Sequence, residues 1–133
     1  SFNVEEIMLT GDAVAWVYEG TDIHAALTVL DQKRLGVVLI LNAGDELSGI
    51  ITDGDVRRMV INRTEIPTHP AEDLMIKGPK RVTPTTPLYD ALYIMETHQI
   101  TVLPVVDRDN RVAGILHLHD ILGKGSIKFN GGA

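Results

Sequence analysis

The chain repeats itself. Displacing the sequence by 65 residues sets Gly49 on Gly114, Ile50 on Ile115, Asp55 on Asp120, Val37 on Val102, Thr21 on Thr86, Ala26 on Ala91 and Leu27 on Leu92. Upstream, "VEEIM" (4–8) matches "AEDLM" (71–75) at a displacement of 67, so the first copy carries two extra residues between Met8 and Thr21. Self-similarity at a fixed period means that one supersecondary unit has been built twice. One such unit is small for independence, whereas the 133 residues together can remove roughly two-thirds of their unfolded surface from water. Two units, 1–66 and 67–133, are therefore expected to bury each other.

Each copy reads in the same order. A short acidic turn carrying Ile7 and Met8, or Leu74 and Met75, leads into an extended stretch, "AVAWVYEG" or "KRVTP". A helix follows from Thr21 to about Lys33, with Ile23, Ala26, Leu27 and Leu30 on one face. Its counterpart runs from about Thr86 to about His98, through Leu88, Ala91, Leu92 and Met95. Thr21 and Thr86 are the expected N-caps. Two β-branched runs come next, "VVLIL" and "SGIIT" around the turn "NAGDE", matched by "TVLPVV" and "AGILH" around "DRDNR". A second helix starts near Asp53, and near Asp120. The fold class is α/β (α+β): two β-α-β-β-α units, each with one helix-covered sheet face, packed through their sheets. The linker "INRTEIPTHP" holds two prolines.

The charge balance narrows the partners. Net charge is −6, which disfavours broad attraction to nucleic acid or an anionic membrane, so any bound phosphate must be held locally. The chain has no cysteine, which removes disulfides, thiolate catalysis and cysteine metal sites together. Its longest apolar run, "GVVLIL" (36–41), is far short of the roughly 20 residues a membrane helix needs. "SFNVEEIM" lacks an export pattern, and a cytoplasmic location is expected. The chain opens on serine, and the expectation is a piece of something longer.

The stretch "GIITDGDVRR" (49–58) runs a strand straight into a helix. Thr52-x-x-Asp55 is a capping-box pattern, in which hydroxyl and carboxylate satisfy first-turn amides. The same geometry presents free N–H groups and the positive end of the helix dipole, where a phosphate could sit, with Thr52 donating its hydroxyl and Gly54 letting a ligand approach the backbone. Asp55 repels phosphate but can accept from sugar hydroxyls. Arg57 and Arg58 stand one turn further in, within reach of a phosphate, although exposed helix arginines are usually solvated. Both readings stay open.

Tandem units with an "EEIM"-type opening, an Ala-Leu helix, a hairpin, and a glycine, two apolar residues and Thr-x-x-Asp resemble the paired CBS domain, or Bateman module. "GIITDGDVRR" with "GILHLHDIL" is further similar to the C-terminal region of D-arabinose-5-phosphate isomerases of lipopolysaccharide and capsule biosynthesis. "TDGDxRR" also resembles CBS pairs attached to sugar-phosphate nucleotidyltransferases. The resemblance implies that Thr52 meets phosphate and Asp55 meets ribose in a nucleotide-binding module, and that Val37 and Val38 line a base pocket. It also implies an attached sugar-isomerase (SIS) domain, of which this chain would be the detached regulatory half.

The second copy departs from the pattern, with His117 at the threonine position and Asp120 retained. A histidine can donate to phosphate or bond a sugar, so this site has a different ligand or none. Lys80 and Arg81 could add positive charge near the inter-copy cleft. His117 and His119 form an H-x-H at strand spacing with Asp120 adjacent, which imitates a metal cluster, but a surface or ligand-facing pair is favoured over a metal site. "DRDNR" imitates an EF-hand start but places Arg111 at a ligand position, so it reads as a hairpin turn. No nucleophile elbow, P-loop or dinucleotide fingerprint appears, and Asp53 and Asp55 are better explained by a helix N-terminus than by acid–base work. Trp16 is expected to be buried between the units, and Met8, Met59, Met75 and Met95 to sit in the core.

These readings converge on a non-catalytic module with candidate ligand contacts Thr52, Asp53, Asp55, Val37, Val38, Arg58, His117, His119 and Asp120, and no metal or catalytic cofactor. The expected regulatory ligand is AMP, ATP or a downstream nucleotide-sugar such as CMP-Kdo, and a homo-oligomer is expected. The competing reading is a structural module that only mediates oligomerisation, with Thr52 as a cap. A metal hydrolase using His117, His119 and Asp120 ranks last.

Overall fold

In the computed structural model, residues 2–62, 66 and 68–123 are described. Strand β1 (Trp16–Tyr18) leads into helix α1 (Ile23–Lys33), which buries Ile23, Ala26 and Leu30. The hairpin strands β2 (Val37–Leu41) and β3 (Leu47–Thr52) follow, then helix α2 (Asp53–Asn62). The second copy gives β4 (Ile76–Lys77), α3 (Leu88–His98), β5 (Val102–Val106), β6 (Val112–His117) and α4 (Leu118–Leu122). Strands β2 and β5, rich in valine and leucine, are buried at every position because each lies between helices on one side and the other sheet on the opposite side.

The copies pack through their sheets, as expected. Val14, Val37, Leu39, Leu41 and Leu47 of the first meet Val102, Val106 and Ile115 of the second in one apolar layer. Even the irregularity repeats: both hairpins shift register at the same place, between Ile40 and Leu41 and between Val105 and Val106.

The lead-in segments cross over. β4 belongs to the second copy by sequence but pairs antiparallel with β3 of the first, and Leu9 of the first copy bridges to Ile115 of the second. Val4 and Ile7 are buried in the core formed by α3, β5 and β6, while Ala71 is buried in the core of α1, β2 and β3. Two glycines make the crossings geometrically feasible. A Cβ at Gly49 would stand 2.7 Å from the Ile76 carbonyl oxygen, and one at Gly114 would stand 2.6 Å from that of Leu9. The glycine that opens each "GII" or "GIL" run is therefore where the other copy's backbone passes over the sheet.

Several local expectations are corrected. Asp22, not Thr21, caps α1, accepting from the His24 amide at 3.0 Å. α3 starts after Pro87, and Thr86 instead accepts from the Thr83 amide. Proline at the cap position has no side-chain acceptor, so the threonine hydroxyl serves the preceding turn. The extended "KRVTP" yields only a single bridge, Val82 to Val105, where the first copy has a three-residue strand. The reason lies in β5: the rung made by the Leu39 amide on Ala15 cannot be repeated by Pro104, which has no N–H.

Candidate ligand cleft

The strand-to-helix junction at Thr52 forms the capping box. The Asp55 carboxylate accepts from the Thr52 amide and from the Thr52 hydroxyl, both at 2.9 Å, while the Asp55 amide donates to that hydroxyl at 3.3 Å. Arg58, one turn on, donates to the other Asp55 oxygen at 2.7 Å. The Asp53 amide donates to the Gly36 carbonyl at 3.0 Å. Gly36 has φ of +75°, and a Cβ there would stand 2.8 Å from the Asp53 carboxylate, so glycine is required on both counts.

This junction opens on a cleft of about 470 Å³ that both copies build. The volume lies within the roughly 300–1,000 Å³ usual for small-molecule sites. The first copy supplies Leu35, Gly36, Ile50 and the start of α2, from Thr52 to Asp55, with Arg58. The second supplies the lead-in residues Ile76, Pro79 and Lys80, the approach to β5 at Gln99–Val102, and His117. Apolar Leu35, Ile50, Ile76, Ile100 and Val102 meet a rim carrying two cations and two carboxylates. The Gly54 amide has no protein acceptor among the described residues and adds a free donor on the same rim.

Of the residues singled out from the sequence, the cleft gathers Thr52, Asp53, Asp55, Arg58 and His117, with Lys80. Val37 and Val38 stand outside its lining: both are buried, Val37 between the sheets and Val38 beneath α1. His119 and Asp120 line a separate hollow with Ile7 and Leu9. Arg57 does not line the cleft. Arg81 turns away and donates to Asn110 and to the Pro79 carbonyl. The Thr52 hydroxyl expected to meet phosphate already donates to Asp55.

At the second junction His117 plays the cap. Its Nδ1 accepts from the His119 amide at 3.0 Å, which fixes the proton of the neutral ring on Nε2 and leaves that N–H as the remaining donor. Strand spacing ends at His117 because α4 begins at Leu118, so the H-x-H rings are not stacked on one strand face. Their centroids lie 6.3 Å apart, and no group of three potential ligands fit for a metal ion occurs among the described residues. "DRDNR" is a hairpin turn with Asn110 at φ +62°.

Trp16 corrects another expectation. It is 43% exposed, because β1 lies at the sheet edge and turns alternate side chains outward. Sequence reasoning missed Gly36 and Thr101, and with them Leu35 and Ile100. They were within reach of the repeat, since each pair directly precedes one of the matched strands and faces its counterpart across the cleft.

Comparison with known proteins agrees with this architecture. The CBS domain family model matches twice, at residues 4–62 and 71–126. The chain is 35% identical over 122 residues to the arabinose 5-phosphate isomerase KdsD of Pseudomonas aeruginosa, covering 92% of this chain and 37% of that protein. It thus spans little more than a third of that relative. The fold superposes on the CBS domain protein PAE2072 from Pyrobaculum aerophilum complexed with AMP, with a TM-score of 0.85 at 20% identity over 95% of each chain. It also superposes on the CBS domain pair of protein MJ0100 in complex with 5-methylthioadenosine and S-adenosyl-L-methionine, with a TM-score of 0.82 at 23% identity, covering 95% of this chain and 98% of the other. A duplicated unit, sheet-to-sheet packing and a double family match have one reading: the chain belongs to the CBS domain family, as a tandem pair.

Proposed function

We propose that this CBS pair senses a nucleotide or nucleotide-sugar in the inter-copy cleft and regulates an attached D-arabinose-5-phosphate isomerase in the cytoplasm. The carrying observation is the cleft itself, an apolar slot completed by both copies, with Arg58 and Lys80 on its rim. A ligand touching both copies favours whichever relative arrangement holds it best, and so transmits its presence to whatever the module is joined to. Solved proteins of the same fold were captured with AMP or with adenosine-derived sulfur compounds, which supports an adenosine-type ligand. The likeness to KdsD supports an isomerase parent and, with it, CMP-Kdo as a feedback ligand.

The capping box redistributes the roles. Thr52 and Asp55 hold the helix start rigid, and the phosphate falls to Arg58, Lys80 and the Gly54 amide. Asp55 uses three of roughly four acceptor positions, which leaves one for a ribose hydroxyl. A thermal-shift screen with AMP, ATP, CMP and CMP-Kdo tests the reading. A ligand at about 100 times its Kd stabilises by roughly 2.7 kcal/mol. Arg58→Ala and Lys80→Ala, which alter exposed cations and leave the cap intact, should fold normally and lose most of the shift. An unmoved midpoint with all four ligands would refute the sensing role.

A second reading rests on a different observation. Val60 and Ile61 of α2 are 60% and 72% exposed, and Tyr93 of α3 is 70% exposed, an apolar presentation suited to a homo-oligomer. Sedimentation of the chain against Ile61→Asp reads it directly: assembly that dissolves in the variant supports it, and a monomeric parent chain excludes it.

A further inference from the structure

The repeat provides an internal template for a second site, at the hairpin end of the molecule. Val17 pairs with Ile40 and Val82 with Val105, so positions 65 apart correspond here too, and Trp16 corresponds to Arg81, Asp45 to Asn110. In the second copy, Arg81 donates to the Asn110 side-chain oxygen. Asn110 then closes on the first copy: its carbonyl accepts from the Leu47 amide and its Nδ2 donates to the Leu47 carbonyl, both at 3.0 Å. The two turns meet where Glu46 bridges Arg111, and the side-chain bond that Asn110 adds has no counterpart at Asp45, whose carboxylate carries no donor. Beside Asp45 lies a hollow of about 350 Å³ bounded by Val14, Trp16, Leu41, Asp45, Arg111 and Val112.

Three features specify what fits there. The acceptor is a full carboxylate where the other copy has an amide. Tyr18 donates to one Asp45 oxygen at 2.5 Å, and no described residue bonds the other. The Trp16 indole, set edge-to-face against Tyr18 at 5.1 Å, offers an exposed aromatic face to a cation. Beside the hollow, β1 is an edge strand whose register on β2 turns the Trp16 amide and carbonyl outward, with no partner among the described residues. Arg111 is the one unfavourable neighbour, but it is 54% exposed and only loosely set toward Asp109 at 3.8 Å, so it can swing clear.

We propose that this edge and hollow dock an extended, arginine-bearing segment of a partner protein. The segment adds to β1 as a strand, and its guanidinium takes in the first copy the place that Arg81 fills in the second, against Asp45 and Trp16. The net charge of −6 favours such a basic partner in encounter.

Trp16 is the sole tryptophan, so its emission reports on the site. The probe is a capped pentapeptide, Thr-Val-Arg-Val-Thr, titrated against the whole chain. A saturable change is expected, about tenfold weaker with citrulline in place of arginine and about tenfold weaker for Asp45→Asn, a loss near 1.4 kcal/mol. Asparagine tolerates the left-handed turn at position 45, as Asn110 does, so that variant keeps its fold. Trp16→Arg, followed by calorimetry, should fill the hollow from within and abolish binding while the unfolding midpoint holds or rises. N-acetylarginine methylamide, which cannot add a strand, should bind about tenfold more weakly than the peptide. No saturable response, equal binding of the citrulline peptide, an unaffected Asp45→Asn variant, or a single capped arginine binding as tightly as the peptide would each overturn the proposal.

Discussion

The starts of α2 and α4 occupy equivalent places 65 residues apart, yet they are built with different chemistry. At Thr52 a hydroxyl and a carboxylate satisfy each other reciprocally, and Arg58 adds a cation over the same carboxylate. At His117 a ring nitrogen alone accepts one amide, and Gly123 ends the helix where Arg58 stands in the first copy. α2 runs for ten residues and α4 for five. One scaffold position thus serves as a reciprocally bonded, ion-paired rim in one copy and a shorter one capped by a single ring nitrogen in the other. Duplication supplies the place, and a few side chains decide its use.

The comparison can be broken most severely where the copies are most alike. Gly49→Ala and Gly114→Ala should each cost about 1–3 kcal/mol, since each new methyl meets a backbone carbonyl that cannot move without displacing a strand. Urea midpoints measure this, and unequal losses would show that the two crossings differ in rigidity. Thr52→Ala should cost about 1 kcal/mol, and His117→Ala about 0.5 kcal/mol, because the first removes a reciprocal pair and the second a single acceptor. His117→Thr sharpens the contrast: with Asp120 three residues on, it can form the box seen at Thr52 and should gain about 0.5 kcal/mol in the same assay. Arg58→Ala should change stability by no more than about 1 kcal/mol, since the arginine is exposed and the Asp55 carboxylate keeps its bonds to Thr52, while weakening nucleotide binding.

The smallest effect is electrostatic and lies at the hairpin end. The Tyr18 phenol donates to the Asp45 carboxylate, which holds its pKa above the ordinary tyrosine value of 10.0. A raised folded pKa means that the contribution is complete below the unfolded pKa and disappears as pH climbs through the folded one. The difference between ultraviolet titrations of the chain and of Tyr18→Phe should place Tyr18 late, and Asp45→Asn should bring it back.

The sequence carried the elements well because periodicity and turn chemistry are local. Helical spacing through Ile23, Ala26 and Leu30 and the β-branched runs before Asn42 and Asp107 are visible in any short window. Partnership is not local. The 65-residue displacement shows that Ile7 resembles Leu74, and it does not say that Ile7 packs in the other copy's core. The hint was present in Gly49 and Gly114, whose missing side chains mark a close backbone approach, but a glycine does not name what approaches it. Trp16 departs from expectation because indole size argues for burial, whereas position on an edge strand decides exposure. In the cleft, Thr52-x-x-Asp55 was legible as both a cap and a site. Only geometry shows the hydroxyl committed to its own helix while the junction still faces the groove.

The crossed lead-ins bear on how such a molecule could have arisen. Neither half holds all of its own interior: the residues that finish the α3 core come from the front of the chain, and Ala71, which completes the α1 core, arrives after the linker. An ancestral half-length chain with this topology would have needed a twin, each inserting its leading turn into the other. Fusing two such halves would replace a concentration-dependent partnership with a covalent one, and leave the twin junctions free to carry different residues, as Thr52 and His117 do.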